Sequence, residues 1–93
     1  MNRGGDLMTI EVRKPTPQEI AAMQQCPVWE KEPSEFPWHY DERETFLVIE
    51  GDVTIDTGDE SVRIGPGDLV TCPAGLDCVW KVHKRIRKHY KFG

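Results

Sequence analysis

Two segments of the chain carry residue types that could together form one small-molecule site. The first runs from His39 to Gly51 and the second from Gly67 to Cys78, and each places polar side chains on a predicted strand next to a glycine turn. His39 offers an imidazole nitrogen, Glu44 a carboxylate and Cys78 a thiolate, which a divalent transition metal accepts as ligands. This set favours zinc, iron or nickel over magnesium. One hypothesis is therefore a metal bound by His39, Glu44 and Cys78.

The same three residues also have purely structural interpretations. Cys78 could pack as a small hydrophobic side chain, as buried free cysteines often do. His39 could be a polar residue at a strand end, and Glu44 could be solvated within an acidic segment. Strand alternation places Cys78 on the same face as Trp80, so both face the interior if Trp80 does.

Aromatic residues flank these candidates and could line an apolar pocket for a small organic ligand. Trp38 and Tyr40 stand beside His39, and Trp80 follows Cys78 two residues later. Trp29 is interpreted as core and Trp80 as a pocket wall, with Trp38 and Tyr40 as further ligand-binding candidates. All of them could equally form much of the core of a small domain.

Charge is distributed unevenly along the 93 residues. The formal net charge is −4, yet residues 81–93 contain six Lys and Arg and no acid, so this segment carries +6 and the remainder −10. A basic segment can indicate nucleic-acid binding, but an acidic remainder would repel phosphate. We expect this last strand to lie against acidic strands such as residues 30–35, without nucleic acid as a partner. Arg87 could form an ion pair with these acidic strands, or it could bind the carboxylate of a ligand.

Composition indicates one small domain in a reducing compartment. Residues 1–8 are interpreted as a disordered leader and residues 9–93 as the domain, whose thin core makes a homodimer plausible. Three cysteines without a C-x-x-C pair do not suggest a disulfide scaffold or a structural zinc site. No apolar run approaches the length of a membrane span, and no signal peptide is recognisable. The expected location is the cytoplasm, without a membrane partner.

The elements that must position the site are one helix and a series of short strands. Thr16, Pro17 and Glu19 form a capping-box pattern that begins a helix, and Cys26-Pro27 ends it. The rest alternates between strand patterns and glycine or proline turns every six to twelve residues, which is typical of a sandwich or barrel. The predicted strands are residues 28–32, 34–40, 44–50, 52–57, 60–64, 69–72, 77–84 and 87–92.

Several motifs resemble those of small single-domain cupins, in particular the ureidoglycine aminohydrolase and ethanolamine-utilisation cupins. The similarity spans residues 9–92 and includes Val48-Ile-Glu-Gly51, Gly67-Asp-Leu-Val70 and Pro73-Ala-Gly75. The resemblance implies an all-β jelly-roll barrel with one short N-terminal helix. Further markers are Trp29-Glu-Lys-Glu, Trp80-Lys-Val and Arg87-Lys-His-Tyr90.

The resemblance also implies where metal ligands would lie. The first cupin motif has His-x-His, a Glu four or five residues later and a Gly seven residues after that. Glu44 and Gly51 match it, His39 falls at the second His, and Pro37 stands at the first. The second motif is matched by Gly67, Pro73 and Gly75, and Cys78 stands at the position of its final His. The implied set keeps three ligands and loses one.

Three functions remain open at this point. The chain could bind a small polar metabolite inside the barrel, with or without a divalent metal, as a non-catalytic cupin. It could be a metal-dependent enzyme with hydrolase or isomerase chemistry on a small metabolite. It could also be a dimerising interaction module without a functional pocket. Whether it is an enzyme is left undecided.

Overall fold

The computed structural model describes residues 8–93 and shows one helix and seven strands within them. Residues 1–7, most of the predicted leader, lie outside the described part, and Met8 is an exposed turn residue. Helix α1 spans Pro17–Met23. The strands are β1 Glu11–Arg13, β2 Val28–Lys31, β3 Ser34–His39, β4 Glu44–Asp56, β5 Ser61–Ile64, β6 Leu69–Cys72 and β7 Asp77–Phe92.

The sheet is organised around two long antiparallel strands, β4 and β7, which pair along most of their length. Strands β6 and β1 extend the sheet beside the first half of β4, and β5 pairs with its second half. On the other side, β3 pairs with the first half of β7 and β2 with its second half. The two halves enclose one core, so the predicted all-β jelly-roll with one short helix is confirmed.

The long strands differ from the prediction, which divided each of them into two. Gly51 and residues 85–86 were expected to separate strands, but β4 and β7 continue through them with shifts in register. Gly51 has φ +122°, and a Cβ there would lie 2.7 Å from the Arg85 carbonyl oxygen. Glycine at this position therefore allows the two strands to bend together without a break.

Two apolar clusters hold the fold together. The main cluster fills the space between the two halves of the sheet and includes Phe46, Ile55 and Trp80. The second lies outside the sheet, where α1 places Met23 against Leu47 and Leu69. The predicted capping box is present at the start of this helix, which fixes its position on the sheet.

The basic segment lies against acidic residues, as expected. Arg87 pairs with Glu30 and Glu50, and Arg85 pairs with Glu30 and Glu32. Arg87 therefore has two carboxylate partners on neighbouring strands. Within residues 8–93, no helix has the length and apolar character needed to cross a membrane.

Candidate functional site

A pocket of about 220 Å³ lies between the two halves of the sheet. Its lining is largely aromatic and contains two charged residues, Glu44 and Lys88. Trp38 and Phe92 are about half exposed, at 47% and 54%, whereas Trp80 and Tyr40 are buried. The pocket thus has an exposed apolar side and a buried polar one. The lining residues are Trp29, Phe36, Trp38, Tyr40, Glu44, Trp80, Lys88, Tyr90 and Phe92.

Glu44 and Lys88 form a buried ion pair in this pocket. The Lys88 Nζ donates to Glu44 Oε2 at 2.6 Å, and the two side chains are only 6% and 5% exposed. They are the two charged residues that the described part of the chain buries. Burial lowers the pKa of Lys88 because it disfavours the ammonium form, and the nearby Glu44 carboxylate acts in the opposite direction.

Three aromatic rings surround the Lys88 ammonium. Its Nζ lies 4.0 Å from the ring centroid of Phe46, 4.8 Å from that of Trp80 and 5.0 Å from that of Trp29. Aromatic faces attract a cation, and the attraction is stronger where water is excluded. The carboxylate and the rings together allow a lysine to remain in the interior.

Tyr40 connects the two segments that the sequence singled out. Its backbone N–H donates to the Leu76 carbonyl at 2.9 Å, and the Gly75 N–H donates to the Tyr40 carbonyl at 2.6 Å. Its hydroxyl accepts from Trp80 Nε1 at 3.2 Å. The two segments therefore meet at one wall of the pocket.

The thiols near this wall are held in their neutral form. Burial raises the pKa of Cys72 to about 12, against a smaller opposing effect of Tyr40. Burial likewise raises the pKa of Cys78 to about 11, and Asp77 adds to the shift. The Cys78 thiol donates to the Trp38 carbonyl, with Sγ 3.6 Å from the oxygen. Neither cysteine is a ready thiolate at neutral pH, and both are free.

The structure does not bring His39 together with Glu44 and Cys78. In the register of β3 and β7, His39 is opposite Asp77 whereas Trp38 is opposite Cys78. Paired residues share a face of the sheet and successive residues alternate, so His39 points outward when Cys78 points inward. Its Nδ1 lies 2.8 Å from Asp77 Oδ1, and its side chain is 51% exposed.

Strand register assigns the family ligand positions differently from the sequence prediction. The first cupin motif allows Glu four or five residues after the second histidine, and His39 corresponds to the five-residue spacing. The four-residue spacing instead places the histidine pair at Trp38 and Tyr40, and both of these line the pocket. The four interior positions are then Trp38, Tyr40, Glu44 and Cys78.

These donors, as arranged, do not fit a divalent metal. Indole provides no metal ligand, and Glu44 already holds an ammonium ion that would repel a cation. In residues 8–93, no three His, Cys, Asp or Glu side chains are grouped so that they could hold a metal ion. The cation beside Glu44 in this structure is the Lys88 ammonium.

Sequence reasoning missed Lys88, Phe36 and Phe92 as pocket residues. Lys88 belongs to the basic segment that was interpreted as an ion-paired surface. Cys78, Trp80 and Lys88 are all at even positions of β7, and all three are buried. Lys84 is also at an even position of β7 but is exposed, so alternation alone does not identify Lys88 as the interior lysine.

An antiparallel jelly-roll with its site between the two sheet halves defines the cupin class. The chain belongs to the EutQ-like cupin domain family, whose model matches residues 19–90. A search of the curated proteins found no match. The family match confirms the resemblance to the ethanolamine-utilisation cupins.

Solved structures give the same assignment. A DUF861 family protein from Thermotoga maritima is 44% identical and has a TM-score of 0.87, with 91% of this chain and 100% of that chain covered. A DUF861 family protein from Pseudomonas syringae is 28% identical, with a TM-score of 0.64 over 71% of this chain and 29% of the other. The Clostridium difficile EutQ protein shares the fold at 20% identity and a TM-score of 0.66, with 99% of this chain and 73% of that chain covered.

Proposed function

We propose that the protein binds one small, uncharged organic molecule in the aromatic pocket between the sheet halves. The observation that carries this proposal is a half-exposed aromatic opening that leads to a buried, hydrogen-bonding Glu44–Lys88 pair. Apolar walls with a few convergent polar groups are typical of small-molecule sites. A volume of about 220 Å³ suits a compound of a few heavy atoms rather than a nucleotide or peptide.

The ion pair determines the chemistry of the ligand. Glu44 and Lys88 together have no net charge, so a charged ligand would lose its water without gaining a net counter-charge. A carbonyl or hydroxyl oxygen can accept from the remaining N–H groups of Lys88, and a hydroxyl can donate to Glu44. The aromatic walls favour a ligand whose remaining surface is apolar or planar.

Metal is not required in this proposal. The Lys88 ammonium supplies the positive charge that a metal would bring to an oxygen of the ligand. The alternative is a metal-dependent cupin enzyme with zinc, iron or nickel, which is supported by Glu44 and Cys78 at interior family positions. In that case Lys88 would have to leave Glu44 when the metal binds.

Ligand titration tests the proposal directly. Benzyl alcohol and benzamide should quench tryptophan fluorescence and raise the melting temperature, whereas benzoate and benzylamine should do so far less. Trp38→Ala should weaken benzyl alcohol binding about two- to tenfold, since an aromatic contact contributes roughly 0.5–1.5 kcal/mol. Val28→Ala is the matched control, because Val28 is exposed but does not line the pocket. Binding that is equal in both variants, or absent for all four compounds, would refute the pocket.

Elemental analysis separates the two functions. Protein purified without a His tag or added metal should contain less than stoichiometric transition metal and should melt at the same temperature across a divalent-metal series. Stoichiometric metal that is lost in a folded Cys78→Ala variant would favour the metal-dependent enzyme. The three free cysteines suit a reducing compartment, which supports the cytoplasm as the proposed location.

A further inference from the structure

Among the residues that line the pocket, Lys88 is the one that carries a primary amine. Exposed lysines such as Lys14, whose side chain is 76% exposed, are surrounded by water. Lys88 is instead enclosed by three aromatic rings and one carboxylate, at the buried end of a pocket whose other end is exposed. A molecule that enters the pocket can therefore reach this nitrogen while bulk water is largely excluded.

Glu44 is positioned to take and return a proton. The 2.6 Å separation of Lys88 Nζ and Glu44 Oε2 is a short charge-assisted hydrogen bond. Glu44 Oε2 is therefore the acceptor within reach of the proton that Lys88 must lose before its nitrogen can attack a carbonyl carbon.

We propose that Lys88 forms a reversible Schiff base with a small aldehyde or ketone bound in the pocket, with Glu44 as the proton carrier. This inference rests on the proposed function, because the carbonyl compound must first occupy the site. It narrows the ligand class from uncharged molecules with an oxygen acceptor to those with an electrophilic carbonyl carbon.

The step balances with the groups present. The Lys88 proton moves to Glu44, and the amine lone pair then forms a bond to the carbonyl carbon while the carbonyl π pair moves to oxygen. Glu44 relays a proton from the nitrogen to this oxygen, which gives a carbinolamine. Protonation of its hydroxyl by Glu44 releases water as the nitrogen lone pair forms the C=N bond. The product is an iminium ion beside the Glu44 carboxylate.

Charge balance favours this product in the interior. The iminium ion has the same positive charge as the ammonium it replaces, so Glu44 remains paired. The iminium ion also stays among Phe46, Trp80 and Trp29, whose faces attract a cation. The reaction therefore leaves no unpaired charge in the pocket.

Reductive trapping in the wild-type protein tests the inference. The protein is incubated with benzaldehyde, propanal or acetone and sodium cyanoborohydride at pH 7, and modified lysines are located by peptide mass spectrometry. We expect modification of Lys88 at least about tenfold faster than of Lys14 or Lys84, because a carbonyl compound bound in the pocket is held beside Lys88, whereas it meets the exposed lysines only by diffusion. Equal rates at all lysines, or no Lys88 adduct with any of the three compounds, would overturn it.

Variants and alcohol analogues distinguish the possible failures. Lys88→Arg retains a positive charge for Glu44 and should abolish the fast adduct, whereas Lys84→Arg, on an exposed part of β7, should leave it unchanged. Benzyl alcohol should protect Lys88 from benzaldehyde by competition. Benzyl alcohol binding without any Lys88 adduct would refute the Schiff base and leave the proposed function intact. Neither binding nor adduct would refute both.

Discussion

Glu44 and Lys88 form a buried ion pair in the interior of the domain. Each residue would be costly to bury alone, and they are accommodated because a 2.6 Å hydrogen bond and three aromatic rings compensate the lost water. Removing one partner leaves an uncompensated charge, whereas removing both leaves an apolar site. The cost of these changes can be measured.

We predict that Lys88→Met destabilises the protein by about 3–5 kcal/mol, the usual cost of breaking a buried pair. The double variant Lys88→Met/Glu44→Leu should be within about 1 kcal/mol of the wild type or more stable, because no charge remains buried. Urea unfolding of Lys88→Met, Glu44→Leu and the double variant gives the free energy of unfolding of each. Additive effects of the two substitutions would contradict an energetic coupling between the residues.

At the scale of elements, β4 and β7 approach each other closely at Gly51, where the register of their pairing shifts. The two strands approach so closely at Gly51 that an added Cβ would be 2.8 Å from the Ile86 Cα and closer still to the Arg85 carbonyl oxygen. Both contacts are with backbone, so they cannot be relieved by a rotamer change.

We predict that Gly51→Ala destabilises the fold by at least about 2 kcal/mol more than Gly58→Ala. Both glycines have positive φ, +122° and +93°, so the backbone penalty is shared. A Cβ added at Gly58 would meet no atom within 4 Å, which makes this position a matched control. Thermal unfolding of the two variants measures the difference, and equal losses would mean that the close approach is unimportant.

The start of α1 provides a pH-dependent contribution to stability. Arg13 lowers the pKa of Glu19 from 4.5 to about 2, and the Thr16 backbone N–H adds to the effect. Since the folded pKa is below the unfolded one, this contribution is complete above about pH 4.5 and is lost as the pH falls towards 2. Glu19→Gln should therefore reduce stability at pH 7 and have less effect near pH 2.

Unfolding experiments at several pH values check this prediction. Glu11→Gln is the control, because its side chain is exposed and belongs to the same region. It should change stability little at either pH. A Glu19→Gln effect that is the same at pH 7 and pH 2 would show that ionisation of Glu19 does not contribute to the helix cap.

At the scale of the whole molecule, the small domain leaves apolar side chains at its surface. Val28, Trp38 and Phe92 are at least 40% exposed, although most of the apolar residues are in the core. A domain of this size buries a limited share of its chain, and association of two copies would bury more. A homodimer therefore remains our expectation for the protein in solution.

Sedimentation equilibrium tests the oligomeric state. We expect twice the monomer mass at micromolar concentration, because apolar side chains exposed at the surface can be buried in an interface. Val28→Ser should weaken the dimer, whereas Ser61→Ala, an exposed polar position on β5, should not. A monomer mass at all concentrations would contradict the prediction.

The fold could be predicted from the sequence because its signals are local. Thr16, Pro17 and Glu19 specify the start of the helix within four residues, and glycine turns mark most strand ends. Alternation along a strand also placed Cys78 and Trp80 on one face, and both are buried. Such patterns depend on the period of the backbone and need no knowledge of which strands pair.

The site depended on tertiary structure because its members are distant in sequence. Glu44 and Lys88 are separated by 44 positions, and only the pairing of β4 with β7 brings them together. His39 satisfied the spacing of the motif, but the register of β3 against Asp77 turned it outward. Since one residue of register reverses the face of every side chain, the sequence determined the barrel and the tertiary structure decided which residues enter it.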